Sequence, residues 1–83
     1  MTLLYFAWVR QKVGRSEEVI EHTPALRTVA DLAAMLAGRG GGYGEAFGDM
    51  TRLRAALNQT HVGLDAVLAP GDEVAFFPPV TGG

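Results

Sequence analysis

The stretch that decides the fold class is Thr28-Val-Ala-Asp-Leu-Ala-Ala-Met-Leu-Ala-Gly38. Its apolar residues recur at the i, i+3, i+4 and i+7 spacing of one helix face. These positions are Val29, Leu32, Ala33 and Leu36. Thr28 is a favourable N-cap residue, and Asp31 stands where a capping box needs an acidic partner. Because Gly38 and Gly40 supply a stop signal, the sequence predicts one short amphipathic helix packed on another layer.

Working outward from this helix, the N-terminal side predicts two strands. Residues 3–9 form a short apolar run rich in aromatic side chains, which is typical of a strand. Residues 13–16 resemble a turn, and residues 17–21 then form a second, more polar strand. The N-terminal part is therefore expected to be a hairpin.

On the C-terminal side, residues 40–48 contain five glycines and predict a mobile connection. Residues 53–58 and 73–77 predict two further strands, and Ala69-Pro70-Gly71-Asp72 fits a type II turn. The order strand, strand, helix, strand, strand predicts an α+β roll with one main helix on a mixed sheet. At 83 residues, the chain is expected to form one domain over residues 1–83.

The first and last predicted strands are apolar on both sides, as buried central strands are. A single short helix covers only one face of a sheet, so the other face should carry an exposed apolar patch. We assign Leu4, Phe6, Trp8 and Phe77 to that patch. Such patches usually mark a partner surface, which we favour. The alternative is that the glycine-rich segment 40–48 folds over them.

Composition excludes several function classes. The chain has no cysteine, so it offers no disulfide, thiol nucleophile or cysteine-ligated metal site. A net charge of −2 argues against nucleic acid as a partner. The apolar runs are shorter than the roughly 20 residues that span a bilayer, so we expect no membrane contact and a cytoplasmic location.

The few chemically active side chains do not form a catalytic or metal-binding pattern. His22 and His61 lack metal-ligand spacing, and Ser16 has no evident base. Glu17 and Glu18 point to opposite faces of a strand, so they are interpreted as a solvated strand edge. Arg52 and Arg54 share a face of the predicted strand and could contact an acidic partner. The sequence therefore predicts no enzyme, no metal and no bound cofactor.

The C-terminal segment 78–83 is the sharpest functional feature. Pro78 and Pro79 cannot continue a strand ladder, so they hold the backbone extended, and Val80, Thr81, Gly82 and Gly83 follow. From Pro78 onward the chain reaches at most about 20 Å when extended. Glycine has no Cβ, so such a tip fits a narrow channel and leaves its carboxylate open to attack.

Three segments carry a family resemblance, and they are Tyr5-Phe-Ala-Trp-Val-Arg10, Ala56-Leu-Asn-Gln-Thr-His-Val62 and Pro70-Gly-Asp-Glu-Val-Ala-Phe-Phe-Pro-Pro-Val-Thr-Gly-Gly83. They resemble the small subunits of molybdopterin synthase, a ubiquitin-like family of sulfur carriers. The resemblance covers nearly the whole chain and is strongest from Leu53 onward. It implies a β-grasp fold and a non-catalytic role in molybdenum cofactor biosynthesis.

The resemblance also implies a mechanism and partners. In this family an ATP-dependent activating enzyme adenylates the terminal glycine, here Gly83, which then becomes a thiocarboxylate. The tail, here Pro79 to Gly83, enters the large synthase subunit, where sulfur passes to cyclic pyranopterin monophosphate. The family assembles as a heterotetramer.

The family also implies which residues face the partner. Phe6 and Phe77 match its partner-facing positions. We assign His61 and Trp8 to the same partner-binding surface, although His61 stands where the family often has an apolar residue and Trp8 where it is frequently polar. The alternatives are a sulfur carrier for thiamine thiazole or cysteine synthesis, and a ubiquitin-like protein modifier.

Overall fold

The computed structural model describes residues 1–79 of the chain. One helix separates the first two strands, and the remaining helices lie between the second and the third strand. The elements are β1 (Thr2–Tyr5), α1 (Ala7–Val13), β2 (Glu17–Val19), α2 (Val29–Ala37), α3 (Gly41–Phe47), a 3-10 helix (Met50–Arg52), β3 (Arg54–Leu57), β4 (Thr60–Val62) and β5 (Glu73–Phe77).

The five strands form one mixed sheet in the order β2-β1-β5-β3-β4. The central pair β1 and β5 is parallel, whereas every other pair is antiparallel. Helical residues such as Leu32 and Phe47 join Leu3, Val74 and Phe76 of the sheet in one buried core. A mixed sheet with a parallel central pair and helices on one face is the β-grasp arrangement, so the expected fold is confirmed.

The helix α2 forms as the sequence predicts. The Thr28 side chain accepts a hydrogen bond from the Asp31 backbone N–H at 3.2 Å, and the Asp31 carboxylate accepts one from the Thr28 N–H at 3.0 Å. The predicted apolar face is buried in full, and Gly38 caps the C-terminus. Here local capping and tertiary packing favour the same structure.

The first predicted strand is too long. β1 ends at Tyr5, and α1 begins at Ala7, whose φ of 53° turns the backbone out of the sheet. Val9 and Val13 then lie one helical turn apart, with Val9 fully buried. The aromatic residues around these valines favour a strand, so the composition of the segment does not indicate a helix. β1 and β2 do pair antiparallel as predicted, but α1 connects them instead of a turn at residues 13–16.

The prediction that residues 40–48 form a mobile connection is wrong. Most of this segment is the helix α3, although three of its seven residues are glycine. Phe47 is fully buried, and its ring centroid lies 4.9 Å from that of Phe76 and 6.0 Å from that of Tyr5. These rings belong to the helix-covered face of the sheet, so α3 does not cover the outer face either. Tertiary packing overrides the poor helix propensity of glycine.

Gly42 is where α3 comes closest to α1, and it yields a testable prediction. A Cβ added there would collide with the backbone carbonyl oxygen of Lys12 and lie 2.8 Å from its carbonyl carbon. Because both atoms belong to backbone, the helices must separate. We expect Gly42→Ala to lower the free energy of unfolding in urea by about 1–3 kcal/mol.

Gly44 provides the matched control within the same helix. A Cβ there would lie 3.6 Å from the Ala37 carbonyl oxygen, an ordinary contact. We expect Gly44→Ala to raise the free energy of unfolding by about 0.5–1 kcal/mol, since alanine favours a helix. Equal stabilisation by both variants would contradict the close approach of α1 and α3.

The C-terminal half contains a strand that the sequence analysis did not predict. β3 and β4 form a hairpin whose two loop residues, Asn58 and Gln59, have φ values of 49° and 70°. Two positive φ values are typical of a type I′ turn, but the usual Asn-Gly signal is absent.

The predicted type II turn at residues 69–72 is confirmed, because Gly71 has a φ of 84° and the Asp72 N–H donates to the Ala69 carbonyl at 3.2 Å.

Candidate functional site

The candidate site is the end of the sheet at which β5 finishes. Phe77 is the last residue of β5, and Phe77, Pro78 and Pro79 are half-buried against the domain. The predicted tail residues Val80, Thr81, Gly82 and Gly83 lie outside the described residues. We define the tail-exit surface as Phe6, Trp8, His61 and Phe77, the four residues that the sequence analysis assigns to partner binding.

Phe6 lies beside the C-terminal end of strand β5. Its N–H donates to the Phe76 carbonyl at 3.1 Å, and it forms the N-cap of α1. With 46% of its surface exposed, it is one of the most exposed large apolar side chains among residues 1–79. Phe6 is the residue between the end of β1 and the start of α1, and its side chain is exposed at this junction.

His61 and Phe77 meet across the outer face of the sheet. Their ring centroids are 5.1 Å apart at an interplanar angle of 47°. His61 pairs with Ala56 of β3, which in turn pairs with Ala75 of β5. Because the side chain of Ala56 is small, the two rings can approach each other over it. The structure therefore brings these two predicted residues together.

Trp8 does not lie on β1, contrary to the alternating pattern predicted for residues 3–9. It lies on α1 and is half-buried, with the Arg52 guanidinium carbon 5.0 Å from its ring centroid. Arg52 belongs to the 3-10 helix, so it does not share a strand face with Arg54. Arg54 instead pairs with Phe77 across the sheet. No sequence pattern indicated the contact between Trp8 and Arg52, because helix α1 itself was not predicted.

Within residues 1–79, the outer face of the sheet between these residues is partly apolar and carries no helix. Leu4 and Ala75 are paired across β1 and β5 and are both half-buried. Phe77 follows on the same face of β5. The predicted open face is therefore present, whereas its role in partner binding stays a prediction.

A polar cluster lies on the opposite face of the sheet, which the helices cover. Glu18 was interpreted as part of a solvated edge, but its side chain is only 10% exposed. Its carboxylate accepts hydrogen bonds from the hydroxyls of Tyr5 at 2.9 Å and Tyr43 at 2.8 Å, and from Arg39 at 2.6 Å. Glu17 points to the other face and is exposed, as the strand alternation predicts. This Glu18 cluster links β1, β2, α3 and the connection before α3.

The Glu18 cluster shifts the titration of its members. Burial alone raises the pKa of Glu18, but hydrogen bonds from Arg39, Tyr43 and Tyr5 outweigh it, and the pKa falls below its ordinary value. Burial also raises the pKa of Tyr5 and of Tyr43, and the neighbouring Glu18 charge adds to both shifts. The carboxylate is thus ionised and the phenols neutral at neutral pH, so the cluster acts as a structural tie.

A metal-binding cluster or a membrane-spanning helix in residues 1–79 would indicate another kind of site. In this part of the chain, no group of three or more histidine, aspartate or glutamate side chains is placed to hold a metal ion. None of its helices is both long and apolar enough to cross a bilayer.

Comparison with known proteins identifies the family. Two curated relatives match over almost their whole length, and both are molybdopterin synthase sulfur carrier subunits. The one from Escherichia coli is 46% identical over 82 residues, which cover 98% of this chain and 96% of the relative. The one from Haemophilus influenzae is 35% identical over 83 residues, with 100% and 99% covered.

Solved structures support the same fold. SAMP1 from Haloferax volcanii superposes with a TM-score of 0.70 at 24% identity, covering 100% of this chain and 98% of that one. A Pyrococcus furiosus protein assigned as molybdopterin converting factor, subunit 1, has a TM-score of 0.68 at 28% identity, with 95% of each chain covered. The sequence profile of the ThiS family matches residues 3–83, and this chain therefore belongs to the ThiS family.

Proposed function

We propose that this chain is a sulfur carrier in the biosynthesis of molybdopterin, with the sulfur borne on the carboxyl group of Gly83. The observation that supports it most strongly is the 46% identity to a molybdopterin synthase sulfur carrier subunit over 98% of the chain. The chain acts in this scheme as a protein substrate and donor, and its partners supply the catalytic groups.

The chemistry requires activation, because a carboxylate at neutral pH is a poor electrophile. In the proposed sequence, a Gly83 carboxylate oxygen attacks the α-phosphate of ATP on an activating enzyme, and pyrophosphate leaves. A sulfur nucleophile then attacks the acyl carbon of the adenylate, and AMP leaves. One carbon–oxygen bond is thereby replaced by a carbon–sulfur bond. The resulting thiocarboxylate delivers its sulfur to cyclic pyranopterin monophosphate in the large synthase subunit.

The architecture suits this role because the folded body ends in a firmly held strand, β5, close to the residues of the predicted tail. β5 is a central strand with partners on both sides, and Phe76 is fully buried, so the base of the tail is firmly held. Pro78 and Pro79 then exclude a continued ladder. Since the tail is short, the folded body must come close to any partner active site that the tip reaches. Contact through the tail-exit surface is therefore part of the proposal.

The proposal is tested by intact mass spectrometry after incubation with the activating enzyme, ATP and a sulfur donor. We expect a mass increase equal to the exchange of one oxygen for one sulfur, located on the peptide that ends at Gly83. Deletion of Gly83 should abolish transfer of sulfur to the pterin substrate while the melting temperature stays unchanged. Arg27→Ala, which alters an exposed side chain elsewhere on the domain, should be converted as wild type is.

Two results would contradict the proposal. A terminal peptide that stays unmodified, while a curated relative is converted in parallel, removes the carrier role. A thiocarboxylate that forms but yields no dithiolene with the large subunit, and serves thiamine thiazole or cysteine synthesis instead, removes the assignment to molybdopterin. Isopeptide adducts on protein lysines would indicate a modifier.

A further inference from the structure

Arg52 is held in a defined position by a residue far away in the sequence. Its guanidinium carbon lies 5.0 Å from the centroid of the Trp8 ring, although Trp8 belongs to α1 and Arg52 to the 3-10 helix. Each of them is two positions along the chain from a residue that contacts the end of β5, because Phe6 donates its N–H to the Phe76 carbonyl and Arg54 is the cross-strand partner of Phe77. The contact therefore fixes a positive charge beside the exit of the tail.

Arg52 takes part in no ion pair within residues 1–79. The ion pairs in this part of the chain involve Lys12, Arg15 and Arg39. The acidic residue closest in sequence, Asp49, has its pKa lowered by hydrogen bonds from the hydroxyl and N–H of Thr51 and also by the nearby Arg52 charge, but it forms no ion pair with Arg52. Arg54 adds a second positive charge on the same side. An exposed guanidinium that lies over the Trp8 ring and forms no ion pair is thus left near the end of β5.

We propose that Arg52, which lies over the Trp8 ring, binds a carboxylate on the large synthase subunit, so that the tail-exit surface selects a partner with an acidic side chain beside its apolar contact. This inference rests on the proposed function and names the chemistry of the partner's surface. We take the large subunit as the partner because both curated relatives are subunits of a synthase, and a subunit must contact the rest of its complex.

The physical basis is the planar shape of the guanidinium. An arginine that stacks on an aromatic face keeps its N–H edge free, and that edge matches a carboxylate with two parallel hydrogen bonds. Contact with Trp8 also restricts the side chain before binding, so less conformational entropy is lost when the partner arrives. A lysine at this position would carry the charge without the planar fork. The site is therefore expected to distinguish arginine from lysine.

The test measures the affinity of full-length carrier variants for the purified large subunit by calorimetry. We expect Arg52→Ala to bind about tenfold more weakly than wild type, because a charge-assisted hydrogen bond is lost. Arg52→Glu should bind about 100-fold more weakly, since it places like charges together. Arg52→Lys should fall between wild type and Arg52→Ala. Arg27→Ala, an exposed arginine beside the start of α2, is the matched control and should bind as wild type does.

Ionic strength gives an independent readout. Added salt should weaken binding of wild type more than binding of Arg52→Ala, because the variant lacks the charge that salt screens. Size-exclusion chromatography of each carrier alone checks that the charge does not serve contact between two copies, and a dimer that Arg52→Glu dissociates would overturn the inference.

The outcomes separate this inference from the function on which it rests. If Arg52→Glu binds the large subunit as tightly as wild type, the inference is wrong and the proposed function stands. If wild type itself neither binds the large subunit nor acquires sulfur, both are wrong. Because Arg52 is exposed, its variants should keep the wild-type melting temperature.

Discussion

Phe47→Ala is expected to lower the free energy of unfolding by about 3–5 kcal/mol, the usual cost of removing a fully buried phenylalanine. The reason is that α3 packs this ring edge-on against the rings of Tyr5 and Phe76 in the core, with no exposed surface left. Small domains are marginally stable, so this loss is a large share of the total. Urea unfolding followed by circular dichroism measures it.

Phe6→Ala is the matched control, because it removes the same side chain from an exposed position. We expect it to change the free energy of unfolding by at most about 0.5 kcal/mol. If Phe47→Ala fails to fold, Phe47→Leu replaces it in the test, because leucine preserves much of the side-chain volume. We expect Phe47→Leu to lower the free energy of unfolding by about 1 kcal/mol. A small effect of Phe47→Ala would mean that the glycine-rich segment is a loose connection after all.

Glu18→Gln is expected to lower the free energy of unfolding by about 1–3 kcal/mol at neutral pH, since the hydrogen bonds that it weakens are made to a charged group. Three donors converge on this carboxylate from Tyr5, Tyr43 and Arg39, and the side chain is only 10% exposed. Glu17→Gln is the control, because Glu17 lies next to Glu18 but points to solvent. It should leave the free energy of unfolding nearly unchanged.

The effect of Glu18 should also depend on pH in a defined direction. The pKa of Glu18 is lowered in the folded state below its ordinary value of 4.5. The stabilisation is therefore fully present above that value and is lost as the pH falls through the folded pKa. Urea titrations over this range should show the wild-type and Glu18→Gln curves converging in acid. A difference that stays constant with pH would contradict the role of the ionised carboxylate.

Much of the fold could be predicted from the sequence, because local and tertiary signals agree in several elements. The capping box of Thr28 and the apolar face of α2 appear as predicted, and so does the turn that contains Gly71. The candidate site was predicted only in part. His61 and Phe77 are in ring contact and the Phe6 N–H bonds to Phe76, while their role in partner binding stays a prediction. The contact of Trp8 with Arg52 could not be predicted, because the aromatic composition of residues 3–9 favours a strand over the helix α1.

The failures have one physical cause. Val9 and Val13 of α1, and Phe47 of α3, sit in short segments whose local pattern is ambiguous or glycine-rich. Seven residues provide too few hydrogen bonds to form a stable isolated helix in water. Such a helix exists only when neighbours bury its side chains, so its propensity does not reveal it.

The sequence by itself determined the α+β class, the main helix, and the proline-glycine tail that points to a carrier. It determined these because capping, periodicity and chain stiffness act over a few neighbouring residues. Only the tertiary structure decided that the glycine-rich segment belongs to the core, that Glu18 ties four parts of the chain together, and that Arg52 rests on Trp8. Each of these depends on groups that are distant in sequence and meet only when the sheet and its helices pack.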